Sequence, residues 1–227
     1  MTFRKKFSTY SRPVQVQCDD GLEYVLKGSH NGRSLVSEHV VGRLGQLIGA
    51  PVSAVCFAVI TPELKAAEPQ LADVGSGICH GTQWVPDCTD ATGLDRMDKP
   101  YNADRFGLLQ VLYSWVHAEN QQLIYAKSDP YLVHSVDHGH FFIGSTGWTA
   151  AGLRQIGNVA LDPYFAPCGL PESVLARAKQ NLSKVTDTDI TMVTKGPPDE
   201  WGVQLADREA LVEYLTVRRD RVLTLLP

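Results

Sequence analysis

The stretch HSVDHGHFFIG, residues 134–144, follows the apolar Tyr131, Leu132 and Val133 and concentrates polar chemistry behind them. Three chemistries are open to it. In an extended strand His134, His138 and His140 would share one face, a ligand spacing that suits zinc or iron. Asp137 could instead hold a hard cation, because an acceptor-only carboxylate with a glycine two residues on leaves its oxygens open to Mg²⁺ and to ATP phosphates. The segment could also simply turn a corner. Gly139 disfavours an uninterrupted strand and no further cysteine or carboxylate ligand pattern lies near, so the histidines are expected to hydrogen-bond locally and Asp137 to carry the chemistry.

Other residues could complete such a site. Lys27 ends an alternating run, LEYVLK, in front of the loop GSHNGRS. A lysine on a rigid strand over a glycine-rich bend is suited to neutralising phosphate oxygens, although a solvated hairpin end would look the same. Glu38, one turn into the next helical pattern, could orient that lysine, or be an ordinary surface glutamate. Glu119, Asn120, Gln121 and Gln122 are four consecutive polar residues that could meet a hydroxyl substrate and a metal, in a loop that is polar in any case. Residues 28–32, with Asn31 and Gly32, and residues 75–77 (GSG) are both candidate covers for a ligand.

The elements that must position these residues follow from periodicity. Residues 13–18 (PVQVQC) and 22–27 alternate around Asp19, Asp20 and Gly21, which predicts a β-hairpin. Ser34 is placed to cap the helical stripe Leu35, Val36, Val40, Val41, Leu44, Leu47, Ile48. Residues 52–60 read as a buried strand, 62–71 as a short helix and 78–85 as another strand. The polar stretch 86–102 is the expected lobe boundary, dividing residues 1–90 from 91–227. ADRFGLLQVLYSWVH, residues 103–117, is apolar nearly all round, the mark of a buried helix. Strands 122–126 and 131–136 form a second hairpin, and helices are expected over 171–182 and 207–225, with Arg218, Arg219 and Arg221 near the favourable end of the last one's dipole. The fold class is therefore α+β, with two lobes around a cleft.

Bulk properties narrow the function. The chain has 227 residues, 44% hydrophobic and 20% charged, which indicates a globular protein. A formal net charge of −4 argues against a protein built for the phosphate backbone of nucleic acid, though not against a nucleotide. Five scattered cysteines without a C-x-x-C pair or a leader suggest reduced thiols in a cytoplasm. No window approaches the roughly 18 apolar residues of a membrane span.

The order strand lysine (YVLKG), helix glutamate (SLVSEHVVGRLGQLIGAPV), buried helix, polar loop (SWVHAENQQLIY) and aspartate (YLVHSVDHGHFF) resembles the HipA-like protein kinase family over roughly residues 13–142. The resemblance implies a two-lobed protein-kinase-like fold, with an antiparallel sheet plus a helix in the N-lobe. The C-lobe would be mostly helical, with a hairpin carrying the catalytic and metal loops. It implies ATP and Mg²⁺ in the cleft and phosphoryl transfer to a protein serine or threonine. Lys27 would contact the phosphates, Glu38 would brace it, Asp137 would stand at the metal position of a D-x-G signature, and residues 78–85, with Gln83, would lie against adenine. Gln122 would fill the amide position at the metal. Asn120 falls where the family carries a catalytic aspartate, and an amide cannot take a hydroxyl proton near neutrality. A weak member, a disabled one or a register that slips by one would each account for this, with Glu119 a substitute acceptor.

The chain is shorter than the family's toxins and has no room for their extra N-terminal subdomain, so toxin activity is not implied. The main functional classes are an active kinase with an unknown protein substrate and a pseudokinase that binds a nucleotide or partner without transfer. A metal-dependent hydrolase built on the three histidines is a third.

Overall fold

The computed structural model describes residues 1–90 and 92–227. A five-stranded antiparallel sheet forms the first part, from β1 (Thr2–Lys6), β2 (Val14–Gln17), β3 (Glu23–Lys27), β4 (Val55–Ile60) and β5 (Gly77–Gln83), in the order β1-β2-β3-β5-β4. The expected hairpin is β2–β3, with Val14 opposite Leu26 and Gln17 opposite Glu23. Lys27 pairs with His80 at the far end of the β3–β5 ladder. Strand β1 escapes the sequence reading because TFRKK offers a single apolar residue among charges, and four of its five positions are exposed.

The sheet is flanked by α1 (Arg33–Ile48) and the short α2 (Pro62–Ala67). Ser34 does not cap α1. Gly32 is the N-cap, and the Ser34 hydroxyl, inside the first turn, donates to the Asn31 carbonyl at 2.8 Å. Nor is β4 a buried strand: it is the sheet edge, with Phe57 44% and Val59 60% exposed. An apolar run alone does not distinguish a central strand from an edge whose outer face meets water.

Two apolar cores result. Val14, Val16, Leu26, Ile60, Leu71 and Val74 fill the smaller one in the strand-rich part. The larger one joins Leu35, Val40 and Leu44 of α1 to the helices that follow. At its centre is α3 (Pro100–Val116), buried without a break from Leu109 through Val116 as its all-round apolar sequence requires. After α3 comes the hairpin β6 (Gln122–Tyr125) and β7 (Val133–Val136), then α4 (Ala150–Arg154), α5 (Glu172–Leu182), α6 (Asp187–Lys195) and α7 (Leu205–Leu225). Arg218 does not serve its own helix dipole. It is 2% exposed and donates to the Trp115 carbonyl at 2.6 Å and to the Ser114 carbonyl, satisfying the last turn of α3.

Contacts through Arg33 and Ile78 fasten α1 and β5 to the helical part. Arg33 makes a two-pronged pair with Asp207 at 2.9 and 2.8 Å and also donates to the Trp148 carbonyl. Glu200 accepts the Ile78 N–H, and the Trp201 indole donates to the Ile78 carbonyl. Among the described residues no helix is long and apolar enough to cross a membrane.

Candidate functional site

Strand β3 delivers Lys27, α1 delivers Glu38, and the turn after β7 delivers Asp137. These three side chains meet. The Lys27 ammonium donates to Glu38 Oε1 and, at 2.7 Å, to Asp137 Oδ1, across 110 positions of sequence. The second Glu38 oxygen accepts the His138 backbone N–H at 3.0 Å, so one 2%-exposed carboxylate ties the lysine to the aspartate's own turn. Burial would lower the Lys27 ammonium, but the Glu38 and Asp137 carboxylates outweigh it and hold it above its ordinary value.

Asp137 is the most open member, with about a third of its side chain exposed. The Gln122 amide, at the start of β6, reaches its Oδ2 at 3.4 Å. Asp137 itself takes the left-handed conformation, φ 59°. Gly139 matters for a different reason than a sharp bend: a Cβ there would sit 3.2 Å from Glu38 Oε1 and 3.3 Å from Ser34, a fit so tight that Glu38 or Ser34 would have to yield by a few tenths of an ångström.

The three histidines do not converge. His138 is buried and shares a hydrogen bond with Ser135, which in turn bonds Tyr113; burial pushes its imidazole down to about 4. His134 lies against Arg105, and His140 bonds Ser145. Among the described residues no three His, Cys, Asp or Glu side chains are grouped to hold a metal.

The remaining candidates lie around this centre. Asn120 is exposed, with φ 53°, on the loop between α3 and β6, and Glu119 beside it lies 3.4 Å from His117. Asn31 spends its amide on the Ser11 and Gly28 carbonyls, holding the β1–β2 loop, and Gly32 starts α1 with φ 53°. Gln83 ends β5 opposite Tyr24, and the next residue, Trp84, sits 6.2 Å from the Phe7 ring. Of the two glycine segments offered as covers, residues 29–31 and Gly75 line one cavity of about 590 Å³ with residues 72–74, Thr9, Tyr10 and Arg12, and a Cβ on Gly28 would collide with the Val74 carbonyl. Sequence reasoning missed the β1–β2 loop because it missed β1. It also passed over His117 and Asp162, an aspartate whose carboxyl burial pushes up while Gln121 and His117 draw it down. The uncommon positive φ of His117, Asn120, Asp137 and Phe142 marks two adjoining loops, and the His117 carbonyl joins them by accepting the Phe142 N–H at 3.1 Å.

A sequence profile described as HipA-like kinase matches residues 2–145, well over half of the chain and all of the Lys27, Glu38, Gln122, Asp137 group. The chain belongs to the HipA-like kinase family. Among solved structures this HipA-like kinase is similar to the Helicobacter pylori proinflammatory kinase CtkA. The TM-score is 0.65 at 10% identity, over 99% of this chain and 94% of that one. At that identity the likeness concerns the fold, which is two-lobed and kinase-like. A Golgi casein kinase is matched at TM-score 0.44 and 10% identity, over 99% of this chain and 73% of that one. Among curated proteins none matches.

Proposed function

We propose that this HipA-like kinase binds ATP with Mg²⁺ between its lobes, residues 1–90 and 91–227, and transfers the γ-phosphoryl group to a serine or threonine hydroxyl of a protein. The observation that carries this reading is the buried Lys27 ammonium held between Glu38 on α1 and the half-open Asp137 after β7. Lys27 neutralises phosphate oxygens, and Glu38 fixes its direction. The donor set fits Mg²⁺. Asp137 supplies a carboxylate, and the Gln122 carboxamide, whose Nε2 donates to Asp137 Oδ2, would present its oxygen on turning over; such a set suits a hard cation whose coordination phosphate oxygens and water complete, and does not make a soft or all-protein site. Bound there, Mg²⁺ offsets the charge of the transferred group. Gln83 and Trp84 supply contacts on the adenine side, while Asn31 and Gly32 hold the covering turn.

The test is a thermal-shift titration with ATP and Mg²⁺, separately and together, paired with transfer of labelled γ-phosphate. Stabilisation that needs both ligands and disappears in Asp137→Ala is the expected result. Equal stabilisation of the wild type and Asp137→Ala would overturn the site. The exposed amide of Asn120 favours a second reading, a pseudokinase, which would show the same stabilisation and no transfer.

A further inference from the structure

We propose that His117, backed by Glu119, takes the proton of the acceptor hydroxyl. The inference rests on the phosphoryl-transfer reading above and adds the base it lacks. Phosphotransferase loops of the form D-x-x-x-x-N place the proton acceptor five positions before the amide that serves the metal. Here Gln122 is taken as that amide, because its Nε2 donates to Asp137 Oδ2 at 3.4 Å and so places the carboxamide beside the aspartate. Five positions before Gln122 is His117; Asn120 is only two before it. The mismatch at Asn120 is then one of register, by three residues, and not the loss of a base.

The local geometry suits the role. His117 closes α3 in the left-handed region, φ 62° and ψ 77°, and its N–H still bonds the Tyr113 carbonyl. Its carbonyl is tied to Phe142 in the segment that follows Asp137. The backbone is therefore fixed on both sides, while the side chain remains 43% exposed. Imidazole Nε2 lies 3.4 Å from Glu119 Oε1, so the carboxylate faces Nε2 and Nδ1 is the nitrogen left to meet the hydroxyl. In the transfer step the hydroxyl oxygen bonds to the γ-phosphorus. The bond from that phosphorus to the bridging oxygen breaks, its electron pair leaves with the nucleoside diphosphate, and the hydroxyl proton goes to His117 Nδ1. Glu119 faces the resulting imidazolium, and Asp162 is the further carboxylate near enough for its own titration to sense His117. Glu119 is a positioning residue in this scheme.

The experiment uses the full chain, with water as the acceptor, and follows hydrolysis of ATP with Mg²⁺ alongside the thermal shift those ligands produce. His117→Asn is expected to lower kcat about 100-fold or more and to leave the thermal shift unchanged. His117→Asp should restore kcat to within about tenfold of wild type, because a carboxylate can take the proton that an amide cannot. Glu119→Gln should lower kcat alone and add nothing in the His117→Asn background. An unchanged kcat in His117→Asn overturns the assignment, as does a wild type that is stabilised by ATP with Mg²⁺ but never turns it over. A wild type showing neither stabilisation nor turnover overturns the nucleotide reading, and the base with it.

Discussion

Glu38 accepts from two buried donors, the Lys27 ammonium and the His138 N–H, and so has more to lose than a surface glutamate. Glu38→Ala leaves a buried ammonium facing Asp137 alone and should cost about 3–5 kcal/mol in chemical denaturation; a loss under 1 kcal/mol would show that the pair is not held as described. A second expectation concerns acid. His39 stacks on Phe57 with ring centroids 4.3 Å apart and meets His80 edge-on, and neither Nδ1 has a hydrogen-bond partner. Burial, with Arg43 adding to it, lowers His39 to about 4, and burial takes His80 well below its ordinary value. Both imidazoles are neutral when folded and gain protons more readily when unfolded. Their contribution is therefore intact above about pH 6.5 and is lost as pH falls toward 4, by up to about 1.4 kcal/mol per pH unit for each. Urea midpoints should drop between pH 7 and pH 5, and His39→Phe should flatten the drop; an identical slope in the variant would remove His39 from the account. Lys27, Glu38 and Asp137 could be named from the sequence because each lies in or just after a patterned element, Gln122 took its place only through the family resemblance, and the structure brings the four side chains together. His117 was passed over because a histidine at a helix end carries no periodic signal, and the polar loop was read from Asn120 instead.

Elements were legible in proportion to how much of them is patterned. The β2–β3 hairpin, α1, α3 and the β6–β7 hairpin all lie within a few residues of where periodicity put them. Strand β1 and α6 were missed, the first for want of apolar residues and the second because DTDITMVTK buries only Ile190 and Thr194. The direction of a helix's partners was also hidden. The arginines of α7 suggested a dipole, yet Arg218 turns inward to the carbonyl end of α3, a role that needs the neighbouring helix to be known. Arg218→Met should strand the Ser114 and Trp115 carbonyls and cost about 2–4 kcal/mol. Arg218→Lys should recover only part of it, since a compact ammonium does not bridge two carbonyls as a planar fork does. Thermal unfolding of the three proteins decides this, and equal recovery by lysine would argue against the two-carbonyl bond.

At the scale of the molecule, the two-lobed α+β layout followed from the order of patterned segments, whereas the fastening of one part to the other did not. Arg33 and Asp207 stand 174 positions apart, and nothing in either local sequence names the other. Asp207→Asn should weaken that clasp and raise amide hydrogen exchange in the first turn of α1 and at Ile78, leaving the centre of α3 protected. Uniform exchange across all three regions would mean that the clasp has no local effect. The same separation bears on synthesis. A ribosome that has released the sheet and α1 has not yet delivered Trp201 or Asp207, so the nascent chain carries Lys27 on a helix and sheet that nothing clamps from behind. The half that carries Lys27 cannot be clamped until Trp201 and Asp207 have been added.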